Sequence, residues 1–145
     1  MPAITSEIAS QPALWRKAAA MAPAVAGLLP APGEPAAAIG CGTSHHIARA
    51  YAALREDSGQ GTTDAAIASE LSPHRSYGRV VAISRSGTTT EVLRTLEALR
   101  GRAATVAVTA VPGSPVASSA DEAVVLDFAN EQAVVQTRFA TTALA

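Results

Sequence analysis

The sequence predicts an α/β domain in which a parallel sheet is covered by helices on both faces. Three observations lead there. Five strand candidates are short and several are continuously apolar, as strands buried on both faces are. Segments with helical spacing lie between most of them. Two strand-to-helix connections repeat one Gly/Ser/Thr-rich plan at an interval that fits a single βαβ step.

Taken in order, residues 5–29 read as a helix, with Pro12 suited to a first turn and Pro23 to a break or kink. "PAPGEP" at 30–35 is a connector of turn formers. The strand candidates are "AAAIG" at 36–40, "GTTDAAI" at 61–67, "RVVAIS" at 79–84, "TVAVT" at 105–109 and "EAVVLDF" at 122–128. A helix after the first strand places Ile47, Tyr51 and Leu54 on one face, and a helix at 89–100 does the same with Val92, Leu93, Leu96 and Leu99. Thr88 and Glu91 have the spacing of a capping box at its start.

The 145 residues suffice for one domain with one core. Aromatic residues are only 3% of the chain, so that core must be built from Ala, Val, Leu and Ile with close backbone approach. Eleven basic and twelve acidic residues leave a net charge of -1, which provides no long-range pull on nucleic acid or an anionic membrane. The single cysteine, Cys41, cannot form an internal disulfide, and no secretion signal or spanning run is evident. A cytoplasmic protein without membrane or nucleic-acid partners is the expectation.

The chemistry concentrates in "IGCGTSHHIARA" and "ISRSGTTTEVLR". Gly40 and Gly42 allow a ligand close to the backbone, and a helix beginning near Ser44 offers unpaired N–H groups to an anion. Thr43, Ser44, Ser84, Ser86, Thr88 and Thr89 add hydroxyls. In an open α/β sheet, loops at the carboxyl ends of neighbouring strands share one crevice, so Ser44 and Ser86 can face one ligand. Hydrogen bonds to a charged group contribute about 1.5–3 kcal/mol each, against an association cost of at least about 4 kcal/mol. Four to six donors shared by two turns therefore hold a phosphomonoester. "VTAVPGSPVASSA" repeats the plan more weakly.

Other chemistries fit less well. "GCGTSH" has His45 where a dinucleotide fingerprint needs its third small residue, and Asp64, the candidate ribose contact, falls inside a strand. NAD binding is thus a minor alternative. Adjacent His45 and His46 point about 100° apart on a helix, so no metal site is expected. Cys41 precedes a helix N-terminus, a place that can lower a thiol pKa, but no base is evident beside it.

"GCGTS", "AISRSGTTTEVL" and "NEQAVVQTRFATT" resemble, in order and spacing, the three signature segments of sugar isomerase (SIS) domains, and "EIASQP" resembles the N-terminal helix of two-module members. The resemblance implies a five-stranded parallel sheet in a three-layer α-β-α sandwich, flavodoxin-like, with the N-terminal helix packed on it. It places a helical segment and connector at 1–35 and the SIS domain at 36–145, as the first of two modules in a longer parent protein. It implies a hexose 6-phosphate or an amino-sugar phosphate as ligand, with no cofactor and no metal. Cys41, Gly42, Thr43 and Ser44 would form one wall of the site. Ser84, Arg85, Ser86 and Thr89 would hold the phosphate, Val134 and Val135 would line the sugar, and Glu131 is the candidate catalytic acid. Arg85 and Thr88 replace a common Gln and Glu, while Gln136 and Arg138 stand where the synthase branch often has Ser and Lys. The first pair implies altered phosphate or substituent contacts, and the second favours an isomerase or deaminase acting through an enediol or enamine, with a non-catalytic sensor domain as the alternative. Family habit implies a homodimer and, because proton-moving groups come mainly from a second module, little turnover by this chain alone.

Overall fold

The computed structural model describes residues 3–145. Five strands, β1 (Ala36–Gly40), β2 (Thr63–Ile67), β3 (Arg79–Ile83), β4 (Ala104–Thr109) and β5 (Glu122–Val125), form one all-parallel sheet in the order β2-β1-β3-β4-β5. The helices are α1 (Ala3–Val25), α2 (Thr43–Asp57), α3 (Thr90–Leu99), α4 (Pro115–Ser119) and α5 (Phe139–Leu144).

Every residue of β1 is buried, as a central strand covered on both faces requires. Alternate residues go to opposite layers. Ala37, Ile39, Val80, Ala82 and Ala107 join one cluster with Val92, Leu96 and Leu99 of α3 and Val116 of α4. Ala38, Val81, Ile83, Val106 and Val108 join another with Ala48 of α2 and Phe139 of α5, against which Leu14, Met21 and Val25 of α1 pack. Alanine at 36–38 leaves these layers close. A fully buried Val, Leu or Phe side chain contributes about 1.5–3 kcal/mol, so α3 is held mainly by Val92, Leu96 and Leu99.

Several elements differ from their sequence-based outline. α1 already runs from Ala3, so Pro12 lies in its interior rather than its first turn, and the helix passes Pro23 before giving way to a 3₁₀ turn at Ala26–Leu28. β5 stops at Val125, and a 3₁₀ turn at Asp127–Ala129 takes the rest of the predicted strand. Leu54 is 54% exposed because α2 buries Ser44, Ala48, Ala52 and Arg55 instead. Periodicity favoured a leucine over an arginine there. The arginine wins because its guanidinium meets Thr63 Oγ1 at 2.7 Å, Ala31 O at 2.9 Å and Gln60 O at 2.7 Å. It thereby pins the 30–35 connector to the starts of β1 and β2.

Chain order and spatial order part company at β1. From it the chain moves outward to β2, then returns to β3 on its other side. This reversal makes the carboxyl ends of β1 and β3 the switch point of the sheet, the usual ligand position in such folds. Among the described residues no helix is long and apolar enough to cross a membrane.

Candidate functional site

β1 and β3 are hydrogen-bonded neighbours, with Ile39 opposite Ala82, so the turns that follow them leave the sheet side by side. In the first turn Gly42 has φ +55° and precedes α2. Among the described residues no acceptor meets the N–H of Gly42 or Thr43. Ser44 is 4% exposed and lies directly on the strand end: a Cβ at Gly40 would stand 2.7 Å from its carbonyl carbon. The glycine therefore lets the helix start on top of the strand, and Ser44 supports the turn from beneath. Thr43 is exposed and Cys41 half-buried. Burial pushes the Cys41 thiol up, a bond from the Ala68 N–H opposes this, and nearby Glu91 adds to it. The thiol is thus not activated by its helix.

The second turn is organised by Ser84, 2% exposed. Its Oγ lies 2.9 Å from Thr89 Oγ1 and accepts the Gly87 N–H at 3.1 Å. Gly87 has φ +67°, and a Cβ there would fall 2.1 Å from Ser114 Oγ, so the turn is wedged against the one after β4. Ser114 itself caps α4, accepting from Ala117 N. Ser86 Oγ accepts the Thr88 hydroxyl at 3.0 Å and faces its N–H at 3.3 Å. The N-cap of α3 is Thr89, not Thr88, so the Thr88–Glu91 capping box does not form. Among the described residues the N–H groups of Ser86 and Thr89 have no acceptor. Four free amides and the hydroxyls of Thr43, Ser86 and Thr88 thus lie at two adjoining corners.

A third segment, after β5, carries the remaining candidates. Arg85 Nη1 donates to the Glu131 carbonyl at 2.7 Å, joining the β3 turn to this segment. The Glu131 carboxylate, in a residue 5% exposed, faces the start of α5. It accepts the N–H groups of Thr137, Arg138 and Phe139 at 2.7, 3.0 and 3.2 Å, together with the Thr137 hydroxyl. In this conformation it is a helix cap. Val134 and Val135 are 93% and 66% exposed and line no enclosed surface of the chain.

Sequence reasoning missed what α1 does here. Glu7, 4% exposed, accepts the Gln132 N–H at 2.7 Å, Gln11 donates to Thr137 O, and Trp15 Nε1 donates to Thr141 Oγ1 at 2.9 Å. Glu7 and Gln11 share one helical face at i, i+4, a signal present in "EIASQP". The helix straps the 131–138 segment in place. Asp64, the candidate ribose contact, is instead bonded to the Tyr77 hydroxyl at 2.6 Å and paired with Arg75 at 2.9 Å, near the amino end of β2. A cavity of about 390 Å³ also opens at that far edge, lined by Tyr77, Arg102 and Asp121 among others, of which Tyr77 and Asp121 already have partners within the chain. An anion held by backbone amides needs a concave row of N–H groups rather than a deep cavity.

The model of one family, the SIS domain, matches residues 36–145. The chain belongs to the SIS domain family. Solved structures share the fold. The C-terminal domain of glucosamine-fructose-6-phosphate aminotransferase from Francisella tularensis superposes with a TM-score of 0.79 at 22% identity, over 94% of this chain and 42% of that one. Glucosamine-6-phosphate deaminase from Thermotoga maritima gives 0.77 at 24% identity, over 96% and 47%. An Escherichia coli protein solved with arabinose 5-phosphate gives 0.79 at 21% identity, over 97% of this SIS domain chain and 81% of that one. The chain thus spans less than half of the aminotransferase and deaminase chains. No curated protein matches.

Proposed function

We propose that this SIS domain binds a sugar phosphate, with the phosphate held at the β1/β3 corner. One observation carries the reading: the unpaired N–H groups of Gly42, Thr43, Ser86 and Thr89 stand at the switch point of the sheet, beside Ser and Thr hydroxyls. Their number meets the requirement of four to six donors for a dianion held without a lysine. The sugar then extends toward the segment after β5, as the neighbours solved with or named for sugar phosphates make reasonable.

Isomerisation or deamination through an enediol or enamine needs a base and an acid at adjacent carbons. With its carboxylate taken up by three amides and a hydroxyl, Glu131 is assigned here to positioning the segment that meets the sugar. The chain's own work is therefore binding and orienting. The same engaged carboxylate favours, as a second reading, a sensor domain that reports a sugar phosphate without converting it.

Thermal melts with fructose 6-phosphate, glucosamine 6-phosphate and arabinose 5-phosphate test the proposal. A ligand at a hundred times its Kd adds about 2.7 kcal/mol of stability, equivalent to about 5–10 °C for a chain of this size. A saturable shift of that order is expected with at least one ester and not with the unphosphorylated sugar. No shift with any ester removes the reading. Turnover of a bound ester separates enzyme from sensor.

A further inference from the structure

The connection after β4 repeats the Gly/Ser plan of the other two, but several of its polar groups turn toward the β3 turn instead of toward a ligand. The Ala110 N–H and the Thr109 hydroxyl both donate to the Arg85 carbonyl, at 3.1 and 3.2 Å. Two turns later in the same connection, the Val116 N–H donates to the Gly87 carbonyl at 2.8 Å. Gly87 makes room for this: a Cβ there would stand 2.1 Å from Ser114 Oγ and 3.1 Å from Thr109 Oγ1. Thr109 is fully buried, and its hydroxyl also accepts the Val111 N–H at 3.3 Å. Two alternate carbonyls of the β3 turn are thus held from the β4 side.

A carbonyl fixed on one side of a peptide fixes the N–H on the other. The peptide unit is planar and trans, so the C=O of one residue and the N–H of the next point in opposite directions. Arg85 O and the Ser86 N–H belong to one such unit. With the carbonyl drawn toward the end of β4, the Ser86 N–H faces away from β4, and the sheet order puts β1 on that side of β3. No acceptor meets it among the described residues. Gly87 O and the Thr88 N–H form a second unit of the same sense, with the Thr88 N–H facing Ser86 Oγ at 3.3 Å. Were the 85–86 unit to turn over, the corner would present a carbonyl oxygen where it now presents a donor, and an oxyanion would be repelled there. Turning it over breaks both bonds to Arg85 O, one of which comes from a side chain.

We propose that Thr109 is a positioning residue for the anion cradle: its hydroxyl holds the Arg85–Ser86 peptide with the N–H turned toward the phosphate. The inference rests on the reading of the corner as a phosphate site and goes beyond it, by assigning the orientation of one donor to a buried side chain of another strand.

Amide-detected NMR titration of the full chain with inorganic phosphate, fructose 6-phosphate, glucosamine 6-phosphate and arabinose 5-phosphate, run beside calorimetry, tests it. In the unaltered chain the Ser86 amide proton should move downfield as a phosphate saturates the site. T109V keeps the shape of the side chain and removes the hydroxyl. It should weaken binding about three- to tenfold, the range for one lost hydrogen bond, and reduce the Ser86 response. T109S keeps the hydroxyl and should restore both. T105V removes a hydroxyl from the other end of β4, where it bonds Asp121, and should lower Tm while leaving affinity and the Ser86 response intact. Unchanged affinity and response in T109V overturn the proposal, as do an equal loss in T105V and a failure of T109S to restore. Binding to the unaltered chain that leaves the Ser86 amide unmoved overturns it as well. Should T109V not fold, T109A takes its place, and the Ser86 response of the unaltered chain is judged as before. Binding of none of the four removes the reading of the corner itself, an outcome distinct from binding to which Ser86 does not respond.

Discussion

At the amino-terminal edge of the sheet, polar groups are paired within the chain. At the carboxyl-terminal edge, several amides and part of one guanidinium have no partner among the described residues. At the first edge Arg55 binds Thr63, Ala31 and Gln60, Tyr77 binds Asp64, and Asp121 accepts both the N–H and the hydroxyl of Thr105. Arg79 Nε is the exception there. At the second edge, among the described residues, no acceptor meets the N–H groups of Gly42, Thr43, Ser86 and Thr89, and Arg85 uses only Nη1. Both edges are made of the same loop residues, so composition does not explain the difference. An unpaired polar group lowers stability, and leaving several at one edge is tolerable where a ligand can satisfy them. One edge serves the fold, and the other is the one proposed to serve the ligand.

The largest expected effect breaks this contrast at the fold-serving edge. R55A strands four acceptors, Thr63 Oγ1 and the carbonyls of Ala31, Glu34 and Gln60, and should cost about 3 kcal/mol, seen as a fall in Tm of about 6–12 °C. Ester affinity measured well below that Tm should be unchanged. Loss of affinity without loss of stability would erase the division of labour.

A matched pair sharpens it. S84A orphans the Gly87 N–H and D121A orphans the Thr105 N–H, so each should cost about 1–2 kcal/mol in denaturant melts. Only S84A should also weaken sugar-phosphate binding, because Ser84 shapes the turn that offers free amides. Equal affinity losses in both variants would mean that stability alone controls binding.

The smallest effect is one of pH. Burial and the bond to Asp64 push the Tyr77 phenol from about 10 up to about 12. The folded chain then holds this proton more tightly than the unfolded chain does. Its contribution to stability is complete below about pH 10 and is lost as pH rises toward about 12. Y77F should flatten the decline of Tm across that window and leave ester binding at pH 7 unaltered. A decline as steep in Y77F as in the unaltered chain would assign the alkaline loss to other groups.

What could be read from the sequence were the features whose cause is local. The apolar run at 36–40, the spacing of Val92, Leu96 and Leu99, and the repeated Gly/Ser/Thr turns depend on neighbours a few residues away, and they were read with shifts of one or two residues, except at β5. The burial of Arg55 in place of Leu54 was not legible, because its acceptors lie at Ala31, Gln60 and Thr63 and come together only when the connector and β2 close on α2. The role of Glu131 was hidden for a related reason. A glutamate at a signature position has the same letter whether its carboxylate faces a sugar or caps α5, and only the turn through residues 132–137 decided for the cap.

The sequence by itself determined the layers, the family and the two corners, since alternation, periodicity and turn residues act over short range. Tertiary structure alone decided which donors at those corners remain unpaired among the described residues, that α1 straps the 131–138 segment, and that Arg85 reaches the Glu131 carbonyl. Hydrogen-bond partners far apart in the chain are chosen by packing, and no local pattern records which of them will meet.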